Sequence, residues 1–153
     1  MKKLFVLFLI LGYCLNGIAI KPTGGWVVSN ASRMDIKRVH FGVAKARIVL
    51  ADGEKKSVPI DQLSSYSIDG KVFDKLPLYK NGKPTGHTVF MELVKTRGDY
   101  SLYKYTYIDN DLIPQYENVK KAFVFNGDKL QLEVDEKTLP DVCNFFGLKG
   151  AIE

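Results

Sequence analysis

The sequence predicts an all-β domain: a mainly antiparallel meander, curled or closed into a barrel or sandwich, and finished by one short C-terminal helix. Three observations predict it. Four Asp/Asn-Gly pairs punctuate residues 20–153, at Asp52-Gly53, Asp69-Gly70, Asn81-Gly82 and Asn126-Gly127, and such pairs accept the positive φ that tight hairpin turns demand. Runs rich in β-branched and aromatic residues flank these pairs at a spacing that fits about seven to nine short strands. After Thr138 the apolar residues recur instead at helical spacing.

The chain opens with a segment of a different kind. Lys2 and Lys3 precede the apolar run from Leu4 to Leu11, and Gly17-Ile18-Ala19 follows. A short apolar run cannot span a bilayer, which takes about 20 apolar residues, whereas a charged start, a short apolar middle and small residues at the exit form a cleavable signal peptide. The expected cut lies after Ala19, leaving residues 20–153 as a single β-rich domain that is periplasmic, in the cell envelope or secreted. Lipoprotein processing at Cys14 is the alternative route, which Tyr13, bulky where a small residue is required, disfavours.

Within the mature chain, an early strand is expected near Ile36–Phe41 and a weaker one at Gly25-Trp26-Val27-Val28. Ala46–Leu50 is matched with Lys56–Ile60 across the first Asp-Gly, and Ser65–Ile68 with Lys71–Phe73 across the second. Thr88–Val94 and Tyr100–Tyr107 follow, joined by a turn at Arg97-Gly98-Asp99. Lys121–Phe125 is matched with Leu130–Val134 across Asn126-Gly127. There Leu130, Leu132 and Val134 alternate with Gln131 and Glu133, the period of a half-buried strand. Thr138 is placed to cap the helix, with Pro140 in its first turn and Asp141 completing a capping box. Val142, Cys143, Phe145 and Phe146 form its apolar stripe and Gly147 ends it.

From about Val58 to Phe146 the chain resembles small secreted β-rich proteins of Gram-negative bacteria. The resemblance is carried by Val58–Leu63, Ser67–Phe73, Val89–Leu93 and Ser101–Tyr105. It implies an exported β domain and brings no activity, cofactor or catalytic residue with it.

Charge and cysteine content narrow the function classes. The formal charge of +5 falls to +3 once Lys2 and Lys3 leave with the signal. Residues 20–58 hold eight Lys/Arg against three Asp/Glu, and residues 59–153 hold twelve against fourteen. The basic N-terminal third could face a lipid headgroup or acidic glycan, or be the solvated face of strands, the preferred reading. Export and a near-neutral balance argue against nucleic acid. Cys143 is the only mature cysteine, so no internal disulfide is expected, and an apolar stripe marks it as a small core residue rather than a nucleophile.

No constellation specifies an enzyme. His40 and His87 sit in no recognisable motif, no nucleophile elbow or phosphate loop occurs, and Asp109-Asn110-Asp111 lacks the later residues of a calcium loop. No catalytic residue, metal or cofactor is therefore expected. Glu92 sits among apolar neighbours and, by alternation, shares a face with Phe90 and Val94, where a charge on the less buried side is expected.

The candidate binding surface is a tyrosine ladder. Tyr103, Tyr105 and Tyr107 alternate along one strand and so share a side, where phenols could stack on and hydrogen-bond a partner or pack across neighbouring strands, packing being preferred. The expected function is a non-enzymatic binding module whose partner is an envelope protein, glycan or lipid. A small-ligand carrier is the alternative, if the sheet encloses an apolar cavity, and an enzyme comes third.

Overall fold

The computed structural model describes residues 24–109, 117–149 and 152, without the side chains of 107–109 and 117–119; the signal segment lies outside the described residues. Ten strands form: β1 (Gly25–Ser29), β2 (Ser32–Phe41), β3 (Lys45–Leu50), β4 (Lys55–Pro59), β5 (Leu63–Ile68), β6 (Lys71–Lys80), β7 (Lys83–Arg97), β8 (Tyr100–Asp109), β9 (Glu117–Asn126) and β10 (Lys129–Val134). A helix, α1 (Leu139–Phe146), follows. All four Asp/Asn-Gly pairs turn hairpins in antiparallel pairing. The described strands exceed the seven to nine expected. β1 and β2 are joined by Asn30 and Ala31, with φ of 49° and 61°, a hairpin turn without the glycine that marks the others.

The ten strands make one sheet in the order β10-β9-β8-β7-β6-β5-β1-β2-β3-β4. The sheet is therefore two meanders joined where β5 pairs with β1, not one. A three-residue 3-10 turn, Ile60–Gln62, carries the chain from β4 back to β5. In a flat sheet those two strands would lie four steps, about 19 Å, apart. The link from Pro59 to Leu63 reaches at most about 14 Å, so β1–β5 must curl. Hydrogen bonds fix the return. Asn30 N–H donates to Gln62 O at 3.2 Å, and Lys75 Nζ donates to Ile60 O and Asp61 O, each at 3.1 Å. Gly25 permits the β1–β5 approach, because a Cβ there would lie 2.1 Å from Ser67 O.

The second meander curls as well. Tyr79 on β6 and Phe125 on β9 have ring centroids 6.2 Å apart, although three strand steps in a flat sheet would separate them by about 14 Å. Glu133 on β10 closes the curl by accepting Gly82 N–H of the β6–β7 turn at 3.0 Å.

The two curls use opposite faces. The ladder Tyr66↔Phe73↔Glu92↔Lys104 lies on one face, and Asp74↔Met91 with Leu93↔Tyr103↔Phe123 on the other. The first curl wraps the Tyr66 face around Val27, Ile36, Ala46, Ile48 and Leu63. The second wraps the Tyr103 face around Leu76, Met91, Phe123 and Phe125. A sheet bent in two directions cannot bring its edges together, so of the curled and closed forms expected the curled one is found: one open sheet with β4 and β10 as edges.

α1 covers the outside of the second curl, where Val142 and Phe146, one turn apart, bury against Leu102 and Val124. Its start departs from expectation. Thr138 makes no side-chain capping bond to the helix. Instead Asp135 Oδ1 accepts the N–H groups of Thr138 at 2.8 Å and Lys137 at 3.0 Å, while Thr138 Oγ1 accepts Asp135 N–H at 2.9 Å. The box thus runs from Asp135 to Thr138 rather than from Thr138 to Asp141, because the Thr138 hydroxyl is engaged with Asp135 and turned away from the first N–H groups of the helix. These bonds, the one from Thr138 N–H foremost, hold the Asp135 carboxyl below its ordinary range. At the other end Gly147 takes φ 67°, and Leu148 N–H reaches back to Cys143 O at 2.9 Å. The apolar stripe is narrower than expected: Phe145 is exposed and Cys143 only half-buried.

Candidate binding surface

The tyrosine ladder climbs out of the second curl. Tyr103 is 7% exposed and its hydroxyl donates to Asp74 Oδ2 at 2.7 Å, two strands away. Burial first, then the hydrogen bond to Asp74 and its negative charge, holds the phenol well above its ordinary pKa. Tyr103 is a packed residue. Tyr105 is half-buried and lines a hollow of about 210 Å³ with Leu78, Tyr79 and Lys121. The side chain of Tyr107 lies outside the described residues. The ladder therefore does not present three rings together, because the curl that makes its face concave also buries its inner end.

On the opposite face the first curl ends in an aromatic floor that no local sequence pattern marks. Tyr66 stacks on Phe73 at 4.7 Å, and it meets Phe41 at 4.7 Å and Phe90 at 5.1 Å. Tyr66 and Phe73 face each other across the β5–β6 hairpin and Phe90 comes from the neighbouring β7, while the curl brings in Phe41 from β2. Glu92 adjoins the floor and bridges Lys71 at 3.4 Å and Lys104 at 3.5 Å, with 18% of its side chain exposed. Burial, and secondarily the Glu92 charge, pushes the Tyr66 hydroxyl pKa up. With its charge matched by two lysines, Glu92 ties β7 to β6 and β8.

The outer side of the first curl has a different character. Register places Arg38 opposite Val49, Val49 opposite Lys55, and His40 opposite Arg47. With Lys45, two residues before Arg47, their side chains share one face, and all five charged or imidazole groups are exposed. Trp26 lies on the same face, with the Arg33 guanidinium 4.7 Å above its ring. Trp26, Arg33, Lys37 and Ala51 border a shallow groove of about 410 Å³. Asp35 is matched to Arg33 at 3.6 Å, and Glu54 to Lys56 at 3.7 Å. Among the described residues no carboxylate pairs with Lys37, Arg38, Lys45, Arg47 or Lys55. Much of the cationic excess of residues 20–58 thus lies on one side, a placement that register decides and composition does not reveal.

The residues considered for catalysis are dispersed. His40 is exposed on the outer side of β2, His87 is exposed near the start of β7, and Cys143 sits on α1. Among the described residues no three His, Cys, Asp or Glu side chains are grouped to hold a metal, and no helix is long and apolar enough to cross a membrane. The Asp109-Asn110-Asp111 segment, set aside as a calcium loop, extends past Asp109 and outside the described residues.

Fold and surface together define an all-β protein built on one doubly curled antiparallel sheet, with a cationic, tryptophan-bearing outer face. No protein-family model, curated protein or solved structure matches the chain.

Proposed function

We propose that this is an exported, non-enzymatic interaction module whose binding surface is the outer face of β1–β4. The observation that carries the reading is the gathering of Lys37, Arg38, Lys45, Arg47 and Lys55 on the face that also carries Trp26, none of the five paired with a carboxylate among the described residues. Unpaired cations on a curved sheet raise a positive potential that steers an anionic partner in, and a flanking indole offers a flat surface to pack on. The packed interiors also support this reading over a small-ligand carrier. Val27, Ala46, Met91, Phe123 and Phe125 fill the two curls at 0% exposure, where a carrier would keep an apolar cavity.

A thermal-shift screen of the exported protein against acidic glycans, anionic lipids, neutral lipids and divalent ions tests the proposal. A ligand bound only by the folded state raises the melting temperature. Stabilisation by an anionic ligand, reduced when Lys45 and Arg47 are both changed to Gln, is expected. Stabilisation by small neutral lipids alone would favour the carrier and overturn the assignment.

A further inference from the structure

Resting on that reading, we propose that the partner of the cationic face is an anionic lipid bilayer, and that the β2–β3 hairpin docks tip-first with Val43 entering the headgroup boundary. The charges alone would serve any polyanion. The tip adds a second requirement. Val43 is fully exposed at 104%, while Val27, Val58, Val124 and Val142 are all buried. It stands in the uncharged stretch Gly42-Val43-Ala44, directly before Lys45. Gly42 N–H donates to Lys45 O at 3.0 Å and Ile60 N–H donates to Ala44 O at 3.0 Å. The tip is therefore held out in a fixed shape and cannot fold back over its own valine.

A soluble polyanion gains from the cations and nothing from a bare valine. A bilayer uses both, because its acyl boundary accepts the apolar tip and its anionic headgroups attract the basic residues behind it. The order of residues along the hairpin fits this approach. Lys45 follows the tip, the His40–Arg47 pair comes next, and the row of Arg38 and Lys55 lies beyond. Successive rows on one strand face are about 7 Å apart, and the field of a charged surface decays within a Debye length of about 8–10 Å at ordinary salt. With the Lys45 row at the headgroups, Arg47 feels about half of that field, whereas Arg38 and Lys55, about 14 Å out, feel little. Tip-first docking thus predicts a gradient of effects along the strand, which flat electrostatic adhesion does not.

The test is co-sedimentation of the protein with three vesicle sets: phosphatidylglycerol mixed equally with phosphatidylcholine, phosphatidylcholine alone, and the mixed vesicles with dextran sulfate as competitor. Each cation near the surface contributes about a fivefold factor. The parent should bind mixed vesicles, release them in high salt and ignore phosphatidylcholine. Lys45→Gln should bind about fivefold more weakly and the double variant Lys45→Gln/Arg47→Gln about tenfold, and Lys55→Gln should lose clearly less than fivefold. Val43→Ser should lose about tenfold on vesicles, the lower end for returning one valine to water, while binding dextran sulfate like the parent.

All of these positions are exposed, so unfolding midpoints at the parent's value confirm that each variant folds. Unchanged vesicle binding by Val43→Ser would overturn the proposal in favour of a soluble polyanion, and equal losses at Lys45 and Lys55 would overturn the tip-first geometry. Absence of vesicle binding would overturn it as well. If another anionic ligand then still stabilises the protein, the interaction-module reading stands without the bilayer.

Discussion

The bond between Tyr103 and Asp74 is where burial, electrostatics and the curl of the sheet meet, so its removal has a calculable consequence. Tyr103 is 7% exposed and donates to Asp74 Oδ2 at 2.7 Å. Its ring packs edge-on to Phe125 at 5.8 Å. Changing Tyr103 to Phe keeps the ring and deletes the donor, leaving a half-buried carboxylate without it. A hydrogen bond to a charged group contributes about 1.5–3 kcal/mol. With a urea dependence of about 1–3 kcal/mol per molar, a loss near 2 kcal/mol lowers the midpoint by about 1 M. Changing Tyr103 to Ala also opens a cavity beneath Phe125 and should cost about 3–5 kcal/mol.

The same bond sets an alkaline limit. The raised pKa of Tyr103 means the unfolded chain gives up its phenolic proton first as pH climbs past about 10. The stability it confers is complete below that pH and declines above it. The Phe variant should therefore lose part of the parent's alkaline sensitivity. The assay is urea unfolding of both variants and the parent from neutral pH to above pH 10. A Phe variant within about 0.5 kcal/mol of the parent, or an Ala variant costing under about 1 kcal/mol, would refute the claim that this tyrosine packs and bonds across the curl.

Three further outcomes are expected. Gly25→Ala places a Cβ 2.1 Å from Ser67 O, so the β1–β5 seam must open, and denaturant unfolding should show a loss of about 1–3 kcal/mol or more; a parent-like midpoint would mean the seam is looser than described. Glu133 is desolvated, which raises its pKa, but the bonds from Gly82 and Lys121 together outweigh this and lower it overall. Its contribution is present above the unfolded carboxyl range and is lost as pH falls below it. Glu133→Gln should thus cost up to about 1 kcal/mol at neutral pH and nothing in strong acid, and a difference that persisted in acid unfolding would contradict the clasp. Intact-mass analysis of exported protein should give a chain beginning at Ile20, whereas a mass with diacylated Cys14 would place the protein on a lipid anchor.

Local physics made most of the strands legible in advance. Asp-Gly and Asn-Gly pairs fix hairpins because backbone conformation at two residues is enough to reverse the chain, and alternation at Leu130, Leu132 and Val134 marks a half-buried strand without knowledge of its neighbours. The short helix before Gly147 was legible for the same reason, although its cap was misplaced by one box, since choosing between Asp135 and Thr138 depends on geometry in three dimensions. Non-local facts were not legible. That β5 returns to β1, that the sheet bends both ways and so stays open, and that Tyr103 is buried while Tyr105 lies nearer the surface all follow from contacts between distant strands.

The candidate surface divides along the same line. The excess of cations in residues 20–58 can be counted along the chain, because composition needs no fold. Strand pairing is what puts Arg38, Lys45, Arg47 and Lys55 on one outward face, sets Arg33 over Trp26, and leaves Val43 bare at a hairpin tip. A strand's side chains alternate faces with a period of two, so a single bulge between Ile36 and Arg38 resets which residues point outward. Pairing partners set that register, and pairing is a property of the folded sheet.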